Sequence, residues 1–206
     1  MDNKQIDAKQ RADIALLDTP VTLQNFYGNI HYSHATTDGD EAQRFTPNEK
    51  SAGSEAKIAQ AEQRLGLRLP EALRALYLVQ NGGGGLATLC VPNPECVQHF
   101  LYDHIITPFS GYSDLNPLEY IVSVHEAMCD YADPESEAER FPTGCERMII
   151  LARWYEETLY LDYNQLGVSG EPAVCFTTFE DQRLLHTRCW LDFAAFFAAL
   201  RVFEAL

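Results

Sequence analysis

The sequence predicts an α+β fold in which a mostly antiparallel central sheet is flanked by helices. Three observations support this: two amphipathic helical segments come first, β-rich segments with hairpin spacing follow, and an aromatic helical segment comes last. Helices that precede and follow a series of hairpins pack on an antiparallel sheet. A chain of 206 residues is long enough for one sizeable core and short for two full domains.

The composition of the first 53 residues predicts an N-terminal extension that packs on the core or trails from it. Apolar side chains between Thr19 and Tyr32 could cover a hydrophobic surface. Residues 34–53 are polar and contain Gly and Pro, a composition typical of a surface loop. We therefore place an N-terminal extension at 1–53 and the main domain at 54–206.

Two short helices open the predicted domain. Ser54 can cap a helix whose apolar residues share one face and which ends at Gly66, because glycine readily adopts the left-handed conformation. Pro70 suits the first turn of a second helix, and Asn81 followed by Gly82 ends it. The two apolar faces predict an αα-hairpin that closes over a sheet.

Strands and two further helices follow. A capping box of Ser123 and Glu126 predicts a helix over about 123–132. Asp192 can cap a last helix whose stripe of phenylalanines, extending to Phe203, predicts burial. The strand-like runs, bounded by turn residues, are 86–91, 100–109, 147–154, 158–163, 174–178 and 183–187.

The charge of the chain limits its partners. Fifteen Lys and Arg stand against 30 Asp and Glu, which gives a net charge of −15. Such a charge repels nucleic-acid phosphates and anionic membranes and attracts basic partners. Residues 75–139 contain many carboxylates and no Lys or Arg. Two interpretations stay open: a solvated acidic face that keeps the protein soluble, and a surface for a cationic protein.

The candidate partner-binding surface is the acidic stretch that begins at the capping box, together with two nearby tyrosines. Carboxylates there would steer a cationic protein, and the tyrosines would supply the buried anchors. The candidate residues are Glu126, Asp130, Asp133, Glu135, Glu137, Glu139, Tyr112 and Tyr131.

The cysteines and the N-terminus predict the compartment. Six cysteines occur without a CxxC pair, and several stand in apolar runs, so we expect buried, reduced thiols. The N-terminus has no apolar segment suited to export, and no stretch approaches the roughly 18 apolar residues of a spanning helix. We therefore expect a cytoplasmic protein without membrane contact.

Motifs for catalysis or ligand binding are weak. Gly82 to Gly85 follow a helix, whereas a phosphate-binding loop follows a strand and opens a helix. Ser169 lies in GVSG, which lacks the nucleophile-elbow pattern. The sequence predicts no catalytic residue, metal or cofactor. A possible zinc set, with unusual spacing, is Cys90, Cys96, His99 and His104.

The helical pair resembles the opening signature of the SUKH superfamily, which includes the Smi/Knr-type regulator of yeast cell-wall glucan synthesis. A second similarity runs from a strand ending in Asp162, through Gly167 and Gly170, to 174–176. Together the similarities cover about 54–203. The matching residues of the helical pair are Leu65, Gly66, Leu69, Pro70, Leu73, Tyr77, Asn81, Gly82 and Gly83.

The resemblance implies a SUKH-like (Smi/Knr-type) fold and, in bacteria, frequent service as an immunity protein that neutralises a polymorphic toxin, often a nuclease. Our leading hypothesis is non-catalytic binding of a basic toxin domain. One alternative is an intracellular scaffold or regulator of cell-wall synthesis or signalling, and another is an uncharacterised hydrolase or metal enzyme. We expect Asp162 to accept backbone hydrogen bonds in the turn after its strand.

Overall fold

The computed structural model describes residues 20–23, 26–27, 32–34, 43–45, 53–83, 88–92, 105–109, 115–129, 141–154, 157–180 and 183–203. The predicted α+β class is confirmed. The helices are α1 (Glu55–Leu65), α2 (Glu71–Val79), α3 (Val124–Cys129) and α4 (Phe193–Ala199), with a 3-10 turn at Cys145–Arg147. The strands are β1 (Tyr32–His34), β2 (Gln43–Phe45), β3 (Thr88–Pro92), β4 (Ile105–Phe109), β5 (Met148–Trp154), β6 (Glu157–Leu166), β7 (Pro172–Glu180), β8 (Arg183–Trp190) and β9 (Arg201–Phe203).

The central sheet has four strands in the order β5-β6-β7-β8, and every neighbouring pair is antiparallel. Sequential strands are spatial neighbours, so the sheet consists of successive hairpins. Bulges interrupt its register between Ile150 and Ala152 and between Asp162 and Leu166. A second sheet has the order β4-β3-β9, and β1 pairs with β2.

Helices α1, α2 and α4 cover one face of the central sheet. Ile58 of α1, Leu73 of α2 and Phe193 of α4 are fully buried and belong to the same core cluster as Leu161 of β6. Burying an aliphatic or aromatic side chain of this size stabilises the fold by about 1.5–3 kcal/mol. Within the described ranges, no helix combines the length and apolarity that a membrane span requires.

Helix α3 and the 3-10 turn cover the opposite face. Val124 and Cys145 pack there in a smaller cluster with Ile150, Tyr160 and Cys175 of the sheet. Residues 158–163 of β6 are consecutively buried, as expected for a strand with both faces covered.

A lead-in segment at residues 20–27 packs into the larger core. Val21 and Tyr27 are buried and Phe26 is completely inaccessible. The Phe26 ring lies 5.3 Å from the ring of Phe109 and 6.1 Å from that of Phe197, measured between centroids. The described part of the lead-in therefore contributes directly to the hydrophobic core.

The last helix is shorter than the sequence predicts. It ends at Ala199, and the following residues form β9, where Val202 pairs with Leu89 of β3. The prediction that Phe203 continues the helix is wrong, because backbone pairing with β3 takes this segment into a sheet.

The prediction that all six cysteines are reduced is also wrong. Cys175 of β7 and Cys189 of β8 stand directly opposite each other and form a disulfide, with a Cα–Cα distance of 4.1 Å. Antiparallel pairing places their side chains on the same face of the sheet. Cys145 is a buried free thiol, as expected, and Cys129 is a partly buried one.

Candidate protein-binding surfaces

The link between α1 and α2 is fixed by its own side chains. Gly66 has a left-handed backbone with a φ of 65°, and its N–H donates to the Glu62 carbonyl, which ends α1. Glu62 Oε1 accepts hydrogen bonds from the Leu69 N–H at 2.9 Å and from Arg74 Nη1 at 2.8 Å. Leu69 and Pro70 are buried, and Leu65 is partly buried against the same core. These residues therefore shape the helical pair.

The end of α2 holds the segment at 115–121. The Tyr77 hydroxyl donates to the Asn116 carbonyl at 2.7 Å, and the Asn81 side-chain oxygen accepts from the Leu118 N–H at 3.0 Å. Both contacts join residues nearly 40 positions apart in the chain. Tyr77 and Asn81 therefore act as structural ties between the helical pair and the segment that leads to α3.

The glycines after α2 are required by close packing. Gly82 has a φ of 86°, and a Cβ added there would lie 2.6 Å from the Pro117 nitrogen. The Gly82 N–H donates to the Gln80 carbonyl, and the Gly83 N–H donates to the Leu115 carbonyl. Because both amide groups are used within the fold, Gly82 and Gly83 do not form a phosphate cradle.

Glu119 forms a polar cluster beside these glycines. Its carboxylate accepts from Asn81 Nδ2 at 2.7 Å and lies 3.3 Å from Lys57 Nζ. Partial burial acts to raise the pKa of the Glu119 carboxyl, but hydrogen bonds from Asn81, the backbone and Lys57 outweigh it and leave the pKa below its usual range. The neighbouring Tyr120 is 71% exposed.

Asp162 is a buried carboxylate that organises the bulge in β6. It accepts hydrogen bonds from the Asn164 N–H at 3.0 Å, from Asn164 Nδ2 at 2.9 Å and from Gln165 Nε2 at 2.6 Å. The predicted backbone hydrogen bond is present, but it lies within the strand, since β6 continues to Leu166. The contacts describe a structural role for this residue.

The acidic candidate surface begins on α3. Glu126 lies in the first turn of that helix with its side chain exposed, and its N–H donates to Ser123 Oγ at 3.0 Å, as in the predicted cap. Val124 turns inward and anchors the helix to the second face of the sheet. The remaining candidates lie outside the described residues and stay a prediction: Asp130, Asp133, Glu135, Glu137, Glu139, Tyr112 and Tyr131.

Two contacts among the described residues involve side chains that could in principle act in catalysis. Cys129 Sγ lies 3.6 Å and 3.8 Å from the two ring nitrogens of His125, so neither nitrogen is favoured as a partner. Ser169 Oγ accepts a long hydrogen bond of 3.4 Å from the Glu171 N–H and serves its turn. No group of three potential metal ligands occurs among the residues described, and the side chains of the possible zinc set lie outside them.

An exposed apolar surface, which sequence reasoning missed, lies at one end of the central sheet. Its residues are Leu166, Val168 and Leu191, which are 56%, 112% and 77% exposed. Leu166 and Val168 flank the start of the β6–β7 turn, and Leu191 follows β8. The signal in the sequence was a valine between glycines in LGVSGE, where a turn usually carries polar residues.

The fold and the helical-pair contacts agree with a comparison to known families. Residues 52–199 match the SMI1 / KNR4 family (SUKH-1). The chain belongs to this family. A comparison with curated proteins finds no match.

The SUKH-1 match extends from just before α1 to the end of α4. It contains the helical pair and the central sheet. The lead-in at 20–27 and strand β9 lie outside the matched range, yet the Val21 N–H donates to the Leu200 carbonyl and Pro20 pairs with Arg201. This SUKH-1 chain therefore joins residues from both sides of the matched range.

Proposed function

We propose that this SUKH-1 protein is a non-catalytic, cytoplasmic binding module, an immunity protein that captures a cationic toxin domain such as a nuclease. The observation that carries the proposal is the net charge of −15 on a SUKH-1 chain. A toxin that acts on nucleic acid needs a basic surface for phosphates, and carboxylates are complementary to such a surface.

Inhibition would be steric and would need no chemical step. An excess of carboxylates raises the rate of encounter with a basic protein, and the association weakens as salt screens the charges. Bound immunity protein would then occupy the surface that the toxin uses for its substrate. The acidic stretch from Glu126 to Glu139 is our proposed contact region, with Tyr112 and Tyr131 as anchors.

The test is binding of the toxin domain encoded beside this gene. Affinity is measured by calorimetry at several salt concentrations for the natural chain and for a variant with Asp130→Lys, Asp133→Lys and Glu137→Lys. We expect tight binding by the natural chain, and weaker binding with a flatter salt dependence for the variant. The reason is that each phosphate-binding cation on the toxin loses a carboxylate partner.

A matched control separates placement from net charge. The changes Asp38→Lys, Asp40→Lys and Glu41→Lys alter the total charge equally, in the polar segment before the domain. Equal weakening by both triple variants would show that only the overall charge matters and would reject the acidic stretch as the contact. Absence of toxin binding, with retention of cell-wall-synthesis or signalling proteins instead, would favour the regulatory alternative.

A further inference from the structure

Three exposed apolar side chains lie at one end of the central sheet, because β6 and β8 both end there and β7 begins there. We call Leu166, Val168 and Leu191 the turn patch. The β6–β7 turn is closed by the Gly167 N–H, which donates to the Glu171 carbonyl at 2.8 Å. Gly167 also lies against the other turn, since a Cβ added to it would be 3.1 Å from the Leu191 carbonyl.

A shallow cavity of about 240 Å³ adjoins the turn patch. Residues 68–71, from the link between α1 and α2, form one wall, and residues 169–172 of the β6–β7 turn form the other. Val168 is the direct neighbour of this second wall. An exposed apolar group beside a concave site is typical of an interface anchor region.

Hydrogen bonds tie the link between α1 and α2 to strand β6 and to the β6–β7 turn. The Tyr163 hydroxyl donates to the Arg68 carbonyl at 2.6 Å, and Glu171 Oε1 accepts from the Glu71 N–H at 2.9 Å. Both contacts join residues that lie far apart in the chain. Because these hydrogen bonds already fix the turn, binding costs little conformational entropy there. More of the free energy gained from an apolar contact is therefore available for affinity.

The charges around the turn patch indicate its partner. Carboxylates of Glu71, Glu171 and Asp192 lie in the segments that form the cavity or adjoin the patch, and Arg68 is the single cation among 68–71 and 166–172. Arg68 Nη2 and Arg74 Nε lie 4.0 Å and 3.9 Å from Glu71 Oε2, so these three charges partly offset one another. Glu171 and Asp192 supply the remaining negative charge. The rim is therefore negative around an apolar centre, which is complementary to a basic protein surface that presents an apolar side chain.

We propose that the turn patch and its cavity are a further apolar anchor site, besides Tyr112 and Tyr131, for the cationic protein partner of this chain. The inference rests on the proposed function for the nature of that partner. Carboxylates act mainly on the rate of encounter, whereas burial of an apolar contact mainly lowers the dissociation rate. Leu78 and Val79 on α2 are also exposed, but at 43% and 52% they are less exposed than the three residues of the turn patch.

The first experiment maps a defined probe on the full chain by NMR. The probe is a short synthetic lysine peptide with one central phenylalanine. We expect its amide shift changes to concentrate at 167–170 and 191. Replacing its phenylalanine by serine, or making Val168→Ser with Leu191→Ser in the protein, should weaken binding about tenfold. Replacing its lysines by glutamates should abolish binding.

Matched variants keep this test decisive. Leu78→Ser with Val79→Ser removes two exposed apolar side chains elsewhere, which are 43% and 52% exposed against 112% and 77% for Val168 and Leu191, and should leave peptide binding unchanged. Thermal unfolding of each variant confirms that it is folded. Shift changes that map away from the turn patch, or equal binding of the phenylalanine and serine peptides, would overturn the anchor assignment.

A second experiment separates this inference from the proposed function. The toxin domain from the adjacent gene is titrated with the natural chain and with the Val168→Ser, Leu191→Ser variant. Equal binding by both proteins would reject the turn patch and leave the immunity function intact. A toxin that ignores the natural chain would reject the immunity function, while peptide mapping to the turn patch would still support the anchor.

Discussion

At the scale of single residues, Tyr27 joins the lead-in to the end of helix α2. Its ring is buried, and its hydroxyl lies 3.2 Å from the Leu76 carbonyl and 3.0 Å from the Gln80 carbonyl. Both carbonyls lie at the C-terminal end of α2, and each also accepts a backbone N–H, the Leu76 carbonyl from Gln80 and the Gln80 carbonyl from Gly82. Burial raises the pKa of the Tyr27 phenol far above its usual range, so the donor proton stays in place at neutral pH.

We predict that Tyr27→Phe lowers the free energy of unfolding by about 1 kcal/mol, because it removes a buried hydrogen bond while both carbonyls keep their backbone donors. Urea denaturation followed by circular dichroism measures the change. Tyr120→Phe is the matched control, since Tyr120 is largely exposed and should show no effect. Identical midpoints for the two variants would contradict the assigned role of the Tyr27 hydroxyl.

The disulfide gives a second prediction at this scale. Peptide mapping after alkylation without reductant should recover Cys175 and Cys189 as one linked pair. Cleavage of a bridge that closes a loop of this size, with a sequence separation of 14, should lower the free energy of unfolding by about 3 kcal/mol. Cys189→Ser should match the reduced natural chain, and its stability should not respond to reductant. Alkylation of both cysteines in the unreduced protein would refute the bridge.

The sequence did not reveal this pair, because the partners meet only through the register of β7 and β8. A bulge between Phe176 and Thr178 changes that register, and nothing in the local pattern specifies it. Gly66 and Asp192, by contrast, have roles that local backbone chemistry decides. Both were predictable as a helix end and a helix cap.

At the scale of elements, Arg74 joins α1 to α2. Its guanidinium is mostly buried and lies 2.8 Å from Glu62 Oε1 and 2.6 Å from Glu55 Oε2. The hydrogen bond with Glu62 raises the pKa of Arg74, against the opposing effect of burial. Because Glu62 also accepts the Leu69 N–H, this ion pair supports the link between the helices.

We predict that Arg74→Ala destabilises the protein by about 2 kcal/mol, since it leaves the largely buried Glu62 carboxylate without its charged partner. Arg68→Ala is the control, because Arg68 is largely exposed and its ion pair with Glu71 is long, so its loss should cost little. Thermal and urea unfolding of both variants supply the measurement. If Arg68→Ala lowers the free energy of unfolding as much as Arg74→Ala does, the effect comes from helix-surface charge in general. The specific contacts of Arg74 with Glu62 and Glu55 would then not be its cause.

Elements that are set by local sequence patterns, such as helix caps, were predictable. Elements that depend on pairing between residues far apart in the chain were less predictable. The helical pair follows from caps and apolar spacing around Gly66 and Pro70. The end of α4 did not follow, because phenylalanines suit a helix and a strand equally, and only pairing of Val202 with Leu89 decides between them. The turn patch was missed for a similar reason, since Val168 and Leu191 come together only in the folded sheet.

At the scale of the whole molecule, buried tyrosines set the response to alkali. Burial raises the pKa of Tyr160 to about 12 and raises the pKa values of Tyr77 and Tyr163 as well. An unfolded chain releases phenolic protons near pH 10, whereas the folded protein retains them to higher pH. Between these values the folded state holds more protons, so its stability decreases as pH rises.

We predict a constant contribution from these tyrosines below about pH 10 and a progressive loss of stability from about pH 10 to 12. Urea midpoints across this range measure the loss, and absorbance of tyrosinate reports ionisation. Tyr160→Phe should reduce the slope, because one group with a raised pKa is removed. Tyrosinate absorbance that rises near pH 10 while the protein remains folded would contradict burial of these phenols.

The fold class and family of the molecule were predictable, because the hydrophobic patterns of 54–200 and the NGG helix end are local properties. The contact surface was not predictable to the same degree. Charge composition led us to propose a cationic partner, but long-range strand pairing decides which turns lie side by side at the surface. Of the proposed acidic contact residues, the described structure positions Glu126 on the exposed side of α3.

Helices α1, α2 and α4 cover one face of the central sheet and α3 covers the other, so the side chains at 158–163 in its central strand β6 are all buried. The ends of the sheet are more accessible to a partner, in particular connecting turns such as the β6–β7 turn, which carries Val168. Substitutions at such points change no interior contact. Under the proposed function, a lineage exposed to new toxins could therefore alter its target by substitutions at a few loop tips, with little effect on the buried core.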